Sequence, residues 1–384
     1  MKKAIALLVL LAPVGERAAE ACGGCFAPPG EFTAVESHRM VIALGVEETV
    51  LWDQFVYSGA PEEFAWVLPV PRSGAEVELA ADAFVQEIDG GTAPIVQAVE
   101  CGEQAGGCGW GGDVVPGPVE GVEVLQRQTV GPYETVTLDS EDPDALYAWL
   151  GQNGYAFPTQ AVAVLDHYVA QESAFLVLRL RPGVEVSAMR PVRVRFRGFM
   201  GTFPLEMVTL GATGSVELSL FVIAEQRYAA RNYATVTIDE ADLEWDAASS
   251  SSNYDELFEA TIEENGGRAW VTEYAGALAA DSELAGVLQK QAGADLAIAT
   301  REISAPYLTR LRTRMLVDHI DEDLELGLSE DASDVSRTLL AQSGECAGPV
   351  MSVAGPHGGG AGAAALLGLA LAWLALRRRQ AGTR

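Results

Sequence analysis

The chain has 384 residues, of which 49% are hydrophobic and 21% charged, so it can bury a sizeable core and is not globally disordered. Its 54 acidic residues outnumber 25 basic ones, giving a formal net charge of −29. Such a surface repels phosphate backbones and anionic headgroups, which argues against nucleic acid as a partner and leaves a solvated acidic exterior as the plain reading.

Lys2 and Lys3 precede an apolar run from Ala4 to Val14, and Ala19-Glu20-Ala21 follows a short polar stretch. That order predicts a signal peptide over 1–21, cleaved after Ala21, with an apolar run too short to stay as a spanning helix. Lipid attachment at the new first residue, Cys22, is disfavoured because Ala19 stands where a large aliphatic side chain is wanted.

The pattern then becomes strand-like. Val41 to Leu44 and Val50 to Tyr57 flank a turn at Gly45 to Glu48 and predict a hairpin. Phe64 to Leu68 reads as a strand that Pro69 and Pro71 end or confine to an edge. A helix is expected over 80–88. The glycine-dense stretch 102–118 reads as a loop pinned by Cys101 and Cys108. It lacks the strand before and the Lys-bearing helix after that a phosphate cradle needs.

Asp142 as N-cap and Pro143 in the first turn open a helix whose stripe is Ala145, Leu146, Trp149 and Leu150, ended by Gly151 or Gly154. Asp139, Glu141, Asp142 and Asp144 complement its dipole. Strands are expected over 174–180, 184–196, 204–210, 216–224 and 234–238. Arg193, Arg195 and Arg197 share one strand face, where pairing with neighbouring carboxylates is preferred over gripping an anion. Ser252 or Asn253 caps a helix from Tyr254 to Glu264 that Gly266 and Gly267 end, another helix covers about 284–292, and Tyr307 to Val317 alternates apolar and basic residues.

Residues 331–360 are polar and glycine-rich, as in a spacer. Ala363 to Leu376 carries no charge and is followed by Arg377-Arg378-Arg379, so 361–379 predicts a transmembrane or sorting segment with its arginines in the cytoplasm and the main domain outside. The fold class expected for 22–330 is α+β, one predominantly antiparallel domain with several packed helices.

In an oxidising compartment Cys22, Cys25, Cys101 and Cys108 can pair, and the local closures Cys22–Cys25 and Cys101–Cys108 are one of three connectivities. Zinc or thiol redox chemistry at Cys22 and Cys25 is the alternative. Cys346, beside the apolar segment, is free, intermolecular or modified, and acylation there would strengthen a short anchor.

Catalytic motifs are not evident. His38, His167, His319 and His357 are far apart, and Asp318-His319-Ile320-Asp321-Glu322-Asp323 lacks the glycine and ligand alternation of a calcium loop. No metal or cofactor is expected. Trp52, Trp66, Trp110, Trp149, Trp245 and Trp270 could line a groove, but on apolar strands they read as core.

Several strings together resemble the family called domain of unknown function 2330, over roughly residues 21 to 330. They are Ala21-Cys22-Gly23-Gly24, the run Glu63-Phe64-Ala65-Trp66-Val67-Leu68-Pro69-Val70-Pro71, Leu146 to Leu150 leading to Gly154-Tyr155, and Arg190-Pro191. Phe203-Pro204-Leu205, Gly266-Gly267-Arg268-Ala269-Trp270-Val271-Thr272-Glu273-Tyr274 and Tyr307-Leu308-Thr309-Arg310-Leu311 complete the set. The resemblance implies an exported bacterial protein and carries no activity to transfer. The tail is similar to MYXO-CTERM sorting signals, which implies that Cys346 is a processing or lipidation point. The function expected is a cell-envelope-anchored, non-enzymatic binding or structural module, on the periplasmic side or at the cell surface. The alternative is an extracytoplasmic metal-assisted hydrolase, which requires two of His38, His167 and His319 to meet beside carboxylates.

Overall fold

The computed structural model describes residues 25–26, 34–58, 65–98, 123–153, 161–181, 184, 189–211, 214–247 and 249–344. The described residues begin with β1 (Cys25–Phe26) and the expected hairpin, β2 (Ala34–Leu44) and β3 (Glu48–Ser58). A Cβ at Gly45 in its turn would lie 2.7 Å from the Glu48 carbonyl oxygen, so the tight turn needs glycine. Next come β4 (Ala65–Pro71), β5 (Ala75–Leu79), α1 (Asp82–Thr92) and β6 (Ile95–Gln97). Beyond Trp66, β4 pairs on one side only among the described residues, the edge position in which Pro69 and Pro71 are tolerated.

β7 (Glu123–Val130) and β8 (Tyr133–Asp139) lead to α2 (Pro143–Gln152). Asp142 caps α2 as expected, its carboxylate accepting from the Asp144 and Ala145 amides at 3.0 and 3.4 Å. The next helix, α3 (Ala161–Ala170), is unassigned by the sequence pattern; it buries Ala161, Leu165 and Tyr168 at helical spacing. β9 (Ser173–Leu180), β10 (Val192–Arg197), β11 (Thr202–Phe203) and the one-turn α4 (Leu205–Val208) follow. Two expectations are corrected here. Among the described residues, the strand expected over 184–196 runs only from Val192, after Pro191, and in the stretch expected as a strand over 204–210 residues 205–210 are helical rather than extended. A short apolar run does not distinguish the two states, and here the Asp323 carboxylate accepts the Glu206 amide at 3.1 Å and favours the helical turn.

The rest is β12 (Ser215–Ala224), β13 (Tyr228–Ala230), β14 (Ala234–Val236), β15 (Glu244–Asp246), β16 (Ser251–Ser252) and α5 (Tyr254–Glu264). β17 (Ala269–Ala277), α6 (Glu283–Ala299), β18 (Tyr307–Leu316), β19 (Leu324–Leu328), β20 (Thr338–Leu340) and β21 (Ser343–Gly344) close it. α6 runs past its expected end through an irregular Ala292 (φ −143°, ψ 36°). Folded strands therefore continue to Gly344, into the stretch whose composition suggests spacer. Among the described residues no helix is long and apolar enough to cross a membrane; segment 361–379 lies outside them.

The elements build an α+β fold with mostly antiparallel pairing. One sheet has the order β14-β17-β18-β12-β2-β3-β10-β5, and a second has β1-β4-β9-β8-β7. A continuous apolar layer lies between them, with Met40, Leu51, Leu218 and Leu220 from the first and Trp66, Leu68, Leu176 and Leu178 from the second. α1 and α6 cover the outer face of the first sheet through Trp52, Phe84, Phe221 and Leu288. α2 and α3 cover the outer face of the second through Trp149, Leu165, Phe175 and Val177. The result is four layers, helix–sheet–sheet–helix, because both sheets are apolar on both faces.

α5 ends at Gly266 and Gly267, both at φ 72°. A Cβ on Gly267 would also collide with the His319 ring, whereas Gly266 opens to space. Gly266→Ala is therefore expected to cost about 1 kcal/mol and Gly267→Ala about 2–3 kcal/mol in urea denaturation. Equal losses would show that the His319 contact is energetically empty.

Candidate functional site

Charged side chains concentrate on the outer face of the first sheet. Strand register sets Arg310, Phe221, Val41, Trp52, Arg193 and Glu78 in one transverse row from β18 to β5. The arginines stand near its ends and the apolar centre lies under α1 and α6.

At one end Arg193 donates to Asp295 at 2.5 Å and to Glu78 at 2.8 Å. The buried Asp295 of α6 also accepts the Trp52 indole N–H at 2.8 Å and the Ala81 amide at 3.0 Å, so one carboxylate ties the helix to both β3 and the start of α1. Arg195 forks onto Glu48 at 2.7 and 3.0 Å, and Arg197 reaches the exposed end of β10. The expected carboxylate pairing thus holds for Arg193 and Arg195, and the Arg193 link to Glu78 lowers that carboxyl's pKa.

At the other end the wholly buried Glu273 accepts from Arg310 at 2.6 Å, Tyr254 at 3.0 Å and Arg312 at 3.3 Å. Arg310 continues to Asp89 at 2.6 Å, and Asp89 also takes Arg39 at 2.8 Å. Arg312 and Arg314 share Glu217. Burial would raise the Glu217 pKa, but those two guanidinium groups outweigh it and lower it. The guanidinium of Arg312 lies 4.2 Å over the Phe258 ring, joining α5 to the same ladder.

Three histidines fall among the described residues, and each has its own surroundings. His38 on β2 and Asp53 on β3 lie buried between the sheets, Nε2 to Oδ1 3.2 Å. Burial lowers the His38 pKa to about 3 and raises that of Asp53 well above the ordinary carboxylate value. His319 Nδ1 is 3.4 Å from the Gly267 carbonyl.

His167, at the end of α3, is 3.5 Å from Glu206 and 2.6 Å from the Gln171 side chain. Beside it, Tyr168 donates to Asp323 at 2.5 Å. Burial raises the pKa of both Glu206 and Asp323; the nearby His167 partly offsets it for Glu206, and the Tyr168 bond does so for Asp323. This partly exposed group of His167, Tyr168, Glu206 and Asp323 is the strongest candidate for proton exchange. Its neighbours Asp321 and Glu322 are taken by Arg268. Asp321, Glu322 and Asp323 of the acidic run therefore serve protein donors, and among the described residues no group of three or more His, Cys, Asp or Glu could hold a metal ion.

Cys25 stands on β1 opposite Trp66; Ala21, Cys22, Cys101, Cys108, Cys346 and His357 lie outside the described residues. No disulfide occurs among the described residues. Trp52, Trp66, Trp149 and Trp270 are core, as their strand and helix contexts suggest, while Trp245 is half-buried and Trp110 is not described. Sequence reasoning passed over Asp53, Asp89, Glu217, Glu273 and Asp295. The available signal was an acid isolated in an apolar run, as in Leu51-Trp52-Asp53 or Trp270-Val271-Thr272-Glu273.

No curated protein and no solved structure matches the chain. A family profile described as "Uncharacterized protein conserved in bacteria (DUF2330)" matches residues 16–327. That span reaches from the polar stretch after the N-terminal apolar run to β19 and takes in both sheets, all the helices among the described residues and the whole charged ladder. The chain belongs to the DUF2330 family of uncharacterised proteins conserved in bacteria.

Proposed function

We propose that the chain is an exported protein of the bacterial cell envelope, held there by its C-terminal tail, whose folded unit is a binding or bracing module. The ladder of arginines and carboxylates is the observation that carries the second half. Arg193, Arg195, Arg310, Arg312 and Arg314 are each committed to carboxylates on neighbouring strands or helices, which stiffens the sheet crosswise. Such groups are spent on shape rather than held open for a substrate. The signal-peptide pattern, the charge-free run ending in three arginines and the likeness of the tail to MYXO-CTERM signals support export and anchoring. Cys346 is then the processing or lipidation point, and Cys22, Cys25, Cys101 and Cys108 are structural disulfide partners.

The test is fractionation of a bacterium making the full chain. The folded unit is expected with the membranes and open to added protease once the envelope is permeabilised. Removal of residues 345–384 is expected to release it in soluble form. Protease-resistant protein in the cytosol would overturn the proposal.

A further inference from the structure

We propose that residues 335–344 form a releasable strap, a strand segment that closes an apolar groove beside α5 and can leave it while the sandwich stays folded. The inference stands on the folded unit alone and does not require anchoring.

The strap is held by short pairings. Val335 bridges to Ala275, β20 runs parallel to β6 with Leu339 opposite Val96, and β21 runs parallel to β15. It buries Leu339 and Ala341 against Leu243, Tyr254, Phe258 and Val271. The apolar layers that hold the sheets together and seat α1, α2, α3 and α6 contain no residue after Leu326. Loss of the strap therefore uncovers one satellite cluster and leaves the main core intact, the condition for local rather than global opening.

The hinge is fixed. Arg227, itself buried, donates to Asp331 at 3.0 Å and to the Ser333 carbonyl at 2.9 Å, and Tyr307 donates to Asp334 at 2.7 Å. Release therefore begins after Asp334, with 335–344 swinging from a pinned base. The vacated site is a groove with open strand edges on β6 and β15, suited to an extended segment entering in parallel register. Its occupant is this chain's own strap. In the sequence the same segment is followed by Cys346 and the tail.

Hydrogen exchange on the full chain tests the release. The Ala341 and Gln342 amides, bonded to Gln97 and Leu243, are expected to exchange roughly 100-fold or more faster than those of β18. A disulfide in Val96→Cys/Leu339→Cys is expected to remove most of that difference, and reduction to restore it. Equal rates for strap and β18 in the parent would mean that the strap opens only with the whole fold, and the proposal fails. Leu339→Asp probes the groove. It is expected to keep the parent's thermal transition within a few degrees and to bind a peptide of residues 333–344 saturably, whereas the parent does not. A variant that loses cooperative folding, or one that folds and ignores the peptide, overturns the proposal.

Discussion

Glu273→Ala is expected to lower the stability of the folded unit by about 3–5 kcal/mol, the range for removing one member of a buried ion pair. Its side chain is 0% exposed and carries the charge for Arg310, whose own side chain is only 7% exposed. Truncation leaves that guanidinium dependent on Asp89 and takes an acceptor from Tyr254 and Arg312 in the same step. For a unit of this size the loss corresponds to a fall in Tm on the order of 10 °C. Glu273→Gln keeps the shape and one acceptor oxygen but not the charge, and should fall between parent and alanine variant. Glu259→Ala is the control. Its partner Arg314 keeps Glu217 and the pair is largely solvated, so about 0–1 kcal/mol is expected. Similar losses for Glu273→Ala and Glu259→Ala in chemical denaturation would mean that the ladder does not brace the sheet.

The same ladder shows which parts of the fold are legible in sequence. Elements with local punctuation are readable: Gly45 in the hairpin turn, Asp142-Pro143 before α2 and Gly266-Gly267 after α5 fix their boundaries through backbone conformation alone. Elements settled by distant partners are not. The stretch 205–208 turns helical where Asp323, far along the chain, meets its amides, and α3 is a valine-rich run that becomes a helix by packing on α2 and β9. Pairing for Arg193 and Arg195 follows from strand alternation, but Asp295 is a partner that only the tertiary fold supplies. The candidate site is less legible again. His167, Tyr168, Glu206 and Asp323 come from α3, α4 and the segment before β19, and no local spacing announces them.

The pair His38–Asp53 yields the prediction with the clearest pH signature. Take His38 first: with its folded value near 3 and an unfolded value of 6.5, the unfolded chain gains a proton below about pH 6.5 that the folded chain refuses, so its contribution falls as pH drops from 6.5 towards 3. Asp53 runs the other way. Its folded value is raised above 3.8, so above that pH the unfolded chain sheds a proton that the folded chain keeps, and stability falls as pH rises. Between about pH 4 and 6.5 the two slopes cancel for as long as Asp53 keeps its proton in the folded chain, and the pair then holds one proton, a count that is the same whichever member carries it. Above 6.5 the His38 slope ends, and any further loss comes from Asp53 until it ionises in the folded chain.

Asp53→Asn removes that loss, so its stability relative to the parent is expected to increase by on the order of 1 kcal/mol per pH unit from about pH 4 upward, until Asp53 ionises in the folded parent. His38→Leu/Asp53→Leu should cost less than the sum of its single variants, because an apolar pair leaves no buried group uncompensated. Urea denaturation of parent and variants from pH 5 to 8.5 reads both effects. If Asp53→Asn tracks the parent in parallel above pH 7, the pair does not hold a proton through neutrality and the two sheets close over an ordinary ionised carboxylate. If the curves diverge, burial between the sheets sets the protonation of the pair, and its acid–base state becomes a property of the sandwich rather than of either residue.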